Sequence, residues 1–301
     1  MAGGQERVLR RRIRSIQSTK KITRAMELIA ASQIVRAKGR IAAAAPYERA
    51  IAGVLAEVAA DSTSGAGRML GIPSEPERVL ILCVVADRGL CGAYNTSVLR
   101  TVERLVGAGV SNGTEFQVMT VGRKAVSYLR FRGQELAETF SGFTERPTFD
   151  DARRVAQAVT APFLAQEVDQ VLVVSTRFLT AGSQKVETRQ LLPLPVEVAG
   201  SDEHEVPARA GYTEFEPDAS EMLVRLLPLY AEAVLQSTLF EASASEHTAR
   251  QRAMAAATDN ADELSKSLSR VMNRARQDSI TTEIMEIVGG AEALRQSVKA
   301  E

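Results

Sequence analysis

The stretch Asp87-Arg88-Gly89-Leu90-Cys91-Gly92-Ala93-Tyr94-Asn95 follows a continuous apolar run and opens onto a helical pattern. A phosphate-binding turn sits at that place in an α/β domain. Its two glycines stand three apart, and neither Gly-Lys-Ser/Thr nor Gly-x-Gly-x-x-Gly is present. A structural turn is therefore the better reading than a nucleotide loop. His204 and His247 lie far apart, away from the cysteines and outside any His-Glu-x-x-His pattern, so no metal site is expected. Ser175 and Ser183 lack the context of a nucleophile elbow. Cys83 and Cys91 make no Cys-x-x-Cys pair and read as reduced thiols. Asp259, Asp262 and Glu263 could form a carboxylate cluster; on a long helix they read as a solvated face or as partners for a basic helix. No cofactor is expected.

Charge is the next signal. The 301 residues carry 37 basic and 37 acidic side chains, and this balance excludes a wholesale polyanion binder. Locally the balance fails. Arg10, Arg11, Arg12, Arg14, Lys20 and Lys21 lie in a segment, 1–40, where only Glu6 and Glu27 are acidic. Residues 201–221 reverse the sign, with seven carboxylates against Arg209. The basic segment interleaves its charges with isoleucines at helical spacing and offers no stacking aromatics. A protein-facing basic helix fits better than a nucleic-acid reader.

The elements that must position these residues fall into three parts. Ile13, Ile16, Ile22, Met26, Ile29, Ala30, Ile34, Ala37, Ile41 and Ala44 step by threes and fours, which predicts one helix over about 5–60. Fifty helical residues span roughly 75 Å, too long for a compact domain. At the other end, Asp218 and Glu221 suggest a capping box, and Pro228 is expected to kink or break the helix early. The pattern runs on to about Val298, with Leu264, Leu268, Val271, Ala275, Ile280, Ile284, Ile287, Ala291 and Leu294 near heptad spacing. Between them, Arg78–Ala86, Glu115–Val121 and Gln170–Thr176 read as buried parallel strands. Helical stretches near 93–108, 122–132 and 148–166 separate them, and 182–196 offers an edge strand.

The predicted fold class is therefore α/β: a long antiparallel coiled coil of N- and C-terminal helices plus a small Rossmann-like domain with a parallel sheet. The expected boundaries are a coiled-coil helix over 1–60, a linker over 61–77, an α/β head over 78–200, an acidic loop over 201–217 and a second coiled-coil helix over 218–301. The apolar runs are far shorter than the roughly 20 residues of a membrane helix, and the first residues lack an apolar signal core. The expectation is a soluble chain that meets a membrane only from outside.

Three stretches then carry a resemblance. Arg12 to Ser32 (R-I-R-S-I-Q-S-T-K-K-I-T-R-A-M-E-L-I-A-A-S) closely resembles the N-terminal helix of the F-type ATP synthase gamma subunits. Asp87 to Asn95 resembles that family's central loop, and 257–261, 273–284 and 286–291 look like its C-terminal signature. The matches occur in the right order across the whole chain.

The resemblance implies the central rotor shaft of a proton-translocating ATP synthase, a subunit without a catalytic site of its own. The implied partners are alpha and beta subunits, three of each, in a surrounding ring, the epsilon subunit and the c-subunit rotor ring. Neither nucleic acid nor direct membrane contact is implied. The implied location is the cytoplasmic face of a bacterial plasma membrane, or an organellar equivalent after removal of a transit peptide. Carried over by motif, Met26 faces the acidic loop of a catalytic subunit, Arg250 lies close to that contact, and Gln277, Thr281 and Glu283 belong to a catch region. Asp278 and the stretch 269–271 depart from the family pattern and could retune that catch. If Met26 and Arg250 share one height, paired numbers total about 276 and Arg12 to Arg14 lie beside Asp262 and Glu263. Two other readings are a coiled-coil adaptor with a ligand at the 87–95 loop, and a nucleic-acid-binding basic helix.

Overall fold

The computed structural model describes residues 2–61, 76–111, 113–194 and 219–298. The expected linker core, the acidic loop and the Asp218 cap lie outside the described residues. In chain order come α1 (Ala2–Asp61), β1 (Arg78–Val84), α2 (Tyr94–Ser111), β2 (Glu115–Val121), α3 (Arg123–Phe131), β3 (Glu138–Phe140), α4 (Phe149–Leu164), β4 (Gln170–Phe178), β5 (Gln184–Leu192) and α5 (Ala219–Val298). These segregate into two compact units, 30–251 and the pair 1–29 with 252–301.

The larger unit is built on a five-stranded sheet of order β3-β2-β1-β4-β5. The first four strands run parallel, and β5 closes one edge antiparallel to β4. The central strand β1 is apolar along almost its whole length because both faces are covered. Val79, Ile81 and Cys83 face α2 and α3, where Val98, Leu99, Val102, Ala125 and Leu129 meet them. Leu80, Leu82 and Val84 face the other way, toward Val155, Ala156 and Val159 of α4. The same core takes in Ile51, Leu55 and Val58 of α1 and Leu223, Leu227, Leu235 and Leu239 of α5.

Helix α4 starts on a capping box, with Thr148 accepting from the Asp151 N–H while the Asp151 carboxylate accepts from the Thr148 N–H. Gly122 begins α3 at φ 103°, where a Cβ would stand 2.2 Å from the Val85 carbonyl oxygen. Only glycine fits that approach of β2 to β1.

Of the expected kink or break at Pro228, the break does not occur; α5, 80 residues in all, runs through it. Leu223, Leu227, Tyr230 and Ala231 are buried around it, and this burial offsets the cost of about 3 kcal/mol that an interior proline carries. Among the described residues α5 is also the helix long and apolar enough to cross a membrane by length and composition. In that apolar window 67% is buried inside the protein, as befits a core helix. The strand over 138–140 has no counterpart in the sequence reading; three residues, two of them exposed, carry no periodic signal.

Candidate partner-contact surfaces and the filled crevice

In the smaller unit the two helix segments pack as an antiparallel coiled coil. Burial on α1 recurs at Leu9, Ile13, Ile16, Lys20, Thr23 and Glu27, and on α5 at Met254, Thr258, Ala261, Ser265, Leu268, Met272, Ala275 and Ser279. Steps alternate three and four, the mark of a left-handed seam. Two contacts fix the register. The Thr23 and Thr258 hydroxyls hydrogen-bond at 2.8 Å in a buried pair, and the Lys20 ammonium pairs with the Asp262 carboxylate.

These numbers total 281 and 282, so the expected total of about 276 was wrong by more than one helical turn. Lys20, not Arg14, stands beside Asp262. The register places Ala255, not Arg250, level with Met26. The physical reason is the identity of the seam. The sequence reading put the large apolar residues inside, but Ile22, Ile29, Leu264 and Val271 are each about half exposed or more. Small and polar residues occupy much of the interior instead, and a single buried polar pair is enough to choose one register. Lys20 and Lys266 both donate to Asp262, and those bonds hold its carboxyl down at about 2.

The other proposed contact residues are scattered over this unit's outer surface. Arg10, Arg11, Arg12, Arg14 and Lys21 are exposed, with Arg10 paired to Glu6 at 2.6 Å. Met26 is half-buried beside the seam. Gln277, Thr281 and Glu283 are exposed, and Glu283 accepts a hydrogen bond from the Ser279 hydroxyl at 3.4 Å. Around them Ile280, Ile284, Met285, Ile287 and Val288 also face outward, at 45–72% exposure. The structure does not gather these residues into a pocket; it sets them along exposed helix.

Arg250 belongs to the larger unit and is nearly enclosed, with 7% of its side chain exposed. Its guanidinium donates to the Glu246 carboxylate at 2.6 Å and to the Gly89 carbonyl at 3.4 Å, and lies 3.6 Å from the Glu145 carboxylate. This constellation sits beyond the C-terminal ends of β1 and β4. There the chain's connections diverge to opposite sides, and open α/β sheets take their ligands in that crevice.

Here α5 occupies it. Ser245 donates to the Thr176 carbonyl, Ser243 to the Glu145 carbonyl, and the His247 ring nitrogen lies 3.1 Å from that same oxygen. Tyr94 donates to the Ala242 carbonyl. The 87–95 loop is likewise occupied with its own fold. Asp87 accepts from the N–H groups of Arg123, Gly142 and Thr144 and from the Thr144 hydroxyl. Asn95 accepts from the Ala86 N–H and donates to the Cys91 sulfur. Leu90 takes φ 63° and stays 61% exposed.

Burial dominates the titration of this cluster. It pushes the Glu246 carboxyl up to about 7 against the pull of Arg250, keeps His247 low and raises the Cys83 thiol to about 12. One Glu246 oxygen, Oε2, is buried without a hydrogen-bond partner. Glu246 and Glu145 were not singled out by sequence, and Asp87 was named only as the start of the 87–95 loop. The spacing of Glu246 and Arg250 on one helix was a usable sign of pairing; Asp87 and Glu145 meet them only through the tertiary fold.

Comparison with known proteins agrees with this architecture. A family model described as ATP synthase matches residues 5–294. An ATP synthase gamma chain of Frankia casuarinae is 46% identical over 298 residues, covering 97% of this chain and 98% of its relative. One from Kineococcus radiotolerans is 44% identical over 298 residues, covering 98% of both. Among solved structures, a chain of the Euglena gracilis mitochondrial ATP synthase in its OSCP/F1/c-ring assembly aligns with TM-score 0.67 at 19% identity, covering 97% of this chain and 95% of that one. A chain from the central stalk and c-ring of the Tetrahymena thermophila enzyme aligns with TM-score 0.59 at 23% identity, covering 78% and 99%. Near-complete coverage at more than 40% identity leaves one assignment: the chain belongs to the ATP synthase gamma chain family.

Proposed function

We propose that this chain is the central rotor shaft of an F-type proton-translocating ATP synthase. It couples proton flow through the membrane sector to ATP synthesis or hydrolysis on surrounding subunits and carries no catalytic site itself. The observation that carries the non-catalytic reading is the filled crevice. The place where an α/β sheet would hold a ligand is closed by Ser243, Ser245, Glu246, His247 and Arg250 of the chain's own helix. Ser243, Ser245 and Arg250 spend their hydrogen bonds on the chain's own carbonyls and on Glu246, and this also disfavours the adaptor reading with a ligand at the 87–95 loop.

The outer surface of the coiled coil supports the shaft reading. It presents Arg11, Arg12, Arg14 and Lys21 on one segment and exposed aliphatic residues from Ile280 to Val288 on the other. A bearing within a sleeve needs such non-directional apolar contact, and charge on one side gives contacts that differ around the axis. The proposed partners are three alpha and three beta subunits, the epsilon subunit and the c-subunit ring, with membrane attachment through these partners on the cytoplasmic face. Met26, Arg250, Gln277, Thr281 and Glu283 are proposed torque and catch contacts; for Arg250 the enclosed position makes that contact indirect, through the loop it holds at Gly89. The boundaries at 60, 77, 200 and 217 remain the proposed division of the chain.

The test is reconstitution with alpha and beta subunits and observation of single complexes with a bead fixed to the head. ATP-driven stepwise rotation of the bead supports the reading. ATP hydrolysis at full rate with a stationary bead overturns it.

A further inference from the structure

The outer face of α2 and α3 is strongly basic in a chain of zero net charge. Arg123, Lys124, Arg130 and Phe131 share the exposed side of α3 around Ser127, opposite the buried Ala125 and Leu129. Arg132, at the end of α3, bonds to Glu103 of α2, and Tyr128 donates to the same carboxylate. Arg100 and Arg104 are exposed on the neighbouring turns of α2. Phe131 is 86% exposed, the most exposed large apolar side chain among the described residues.

We infer that this face docks an acidic protein segment, a surface distinct from the shaft contacts proposed above and independent of them. Three observations select that occupant. First, Arg100, Arg104, Lys124 and Arg130 have no acidic partner among the described residues, so their charge is available. Second, arginine outnumbers lysine five to one across the face. A planar guanidinium binds a carboxylate through two parallel hydrogen bonds, whereas a diffuse anionic surface is served equally by lysine. Third, an aromatic ring flanked by two arginines is the composition of a protein-interface anchor. Glu103 holds Arg132 and Tyr128 at 2.8 and 3.1 Å, which fixes the wall beside that anchor before any partner arrives. A nucleic-acid strand would find a single exposed ring on which to stack.

The experiment places a photoreactive benzoylphenylalanine at position 131 in the assembled membrane complex and identifies the adduct by mass spectrometry. The expected adduct is a polypeptide segment rich in Asp or Glu. Its yield should fall about tenfold in K124E/R130E, whose two side chains are exposed and leave assembly intact, and should fall with rising salt in the native background. Exchange of the captured carboxylates for lysines should restore the yield in K124E/R130E. Adducts mainly to phospholipid or nucleic acid, a yield indifferent to both charge reversal and salt, or no adduct at all would overturn the inference.

Discussion

Replacement of Glu246 by glutamine isolates the electrostatic cost of filling the crevice with a charge. Glu246 has 1% of its side chain exposed, and burial is the largest influence on it. Arg250 pulls its pKa down; Glu145 and Asp87 push it up. The net rise, from an ordinary 4.5 to about 7, amounts to about 3 kcal/mol at ~1.4 kcal/mol per pH unit. The sign follows from proton counting. Between pH 4.5 and 7 the folded chain holds this proton and the unfolded chain does not, so stability falls as pH rises through that window.

His247 works in the opposite sense, because its lowered pKa makes the fold lose stability as pH drops below the ordinary histidine value of 6.5. The informative quantity is therefore the difference between the native chain and E246Q, in which His247 cancels. That difference should grow in favour of E246Q by about 3 kcal/mol from pH 4.5 to pH 8. Hydrogen exchange of the β1 and β4 amides, read by mass spectrometry, reports the larger unit without the signal of the coiled coil. Parallel pH profiles for the two chains would refute the reasoning and place the Glu246 carboxylate, ionised throughout, in a better solvated site than the structure shows.

Three further outcomes are expected. Cysteines at Thr23 and Thr258 should oxidise to a crosslink within the coiled coil, while cysteines at Arg14 and Asp262 should not, as judged by gel shift under mild oxidation; the reverse would restore the register first read from the sequence. G122A should lower stability by more than about 2 kcal/mol, since it combines a φ of 103° with a Cβ 2.2 Å from the Val85 carbonyl, and a thermal midpoint within 2–3 °C of the native chain, as surface substitutions give, would contradict that crowding. M26K should leave assembly intact and reduce protons pumped per ATP hydrolysed, because a half-buried position beside the seam would then carry a new cation toward the acidic loop proposed to face it; pumping at an unchanged ratio would remove Met26 from the torque path.

The parts of the fold with strong local signals were legible in the sequence. A run such as Val79 to Ala86, short and rich in β-branched residues, reads as a strand covered on both faces, and α2, α3 and α4 fall within three residues of the expected helices. The seam was not legible in the same way. Helical periodicity identifies a stripe, but two stripes rotated by one residue, Ile22 against Thr23, satisfy it almost equally. The rule that apolar residues go inside holds at Ile13, Ile16, Ala30, Ile34 and Leu268 and fails at Ile22, Ile29, Leu264 and Val271. Thr23 and Thr258 win because their hydroxyls satisfy each other and let the backbones approach, a pairing that links residues 235 apart in sequence. The filled crevice was hidden for a related reason. The loop at 87–95 announced a possible ligand site, and only the tertiary arrangement reveals that residues 243–250 already occupy it.

The apolar residues that the coiled coil leaves outside have a consequence for the life of the chain before it meets its partners. Isoleucines at 22, 29, 280, 284 and 287 remain in water while Thr23, Thr258, Ala261 and Ser265 share the interior with Ile13, Ile16 and Met254. A newly made copy thus displays two apolar patches, one at Ile22 and Ile29 and one from Ile280 to Val288, that a self-sufficient monomer would have folded away. Such a copy is a natural client for holding chaperones and, if left unmatched, for proteases. Surplus production would then be cleared and not stored, so that the number of shafts in the cell follows the number of sleeves available to receive them.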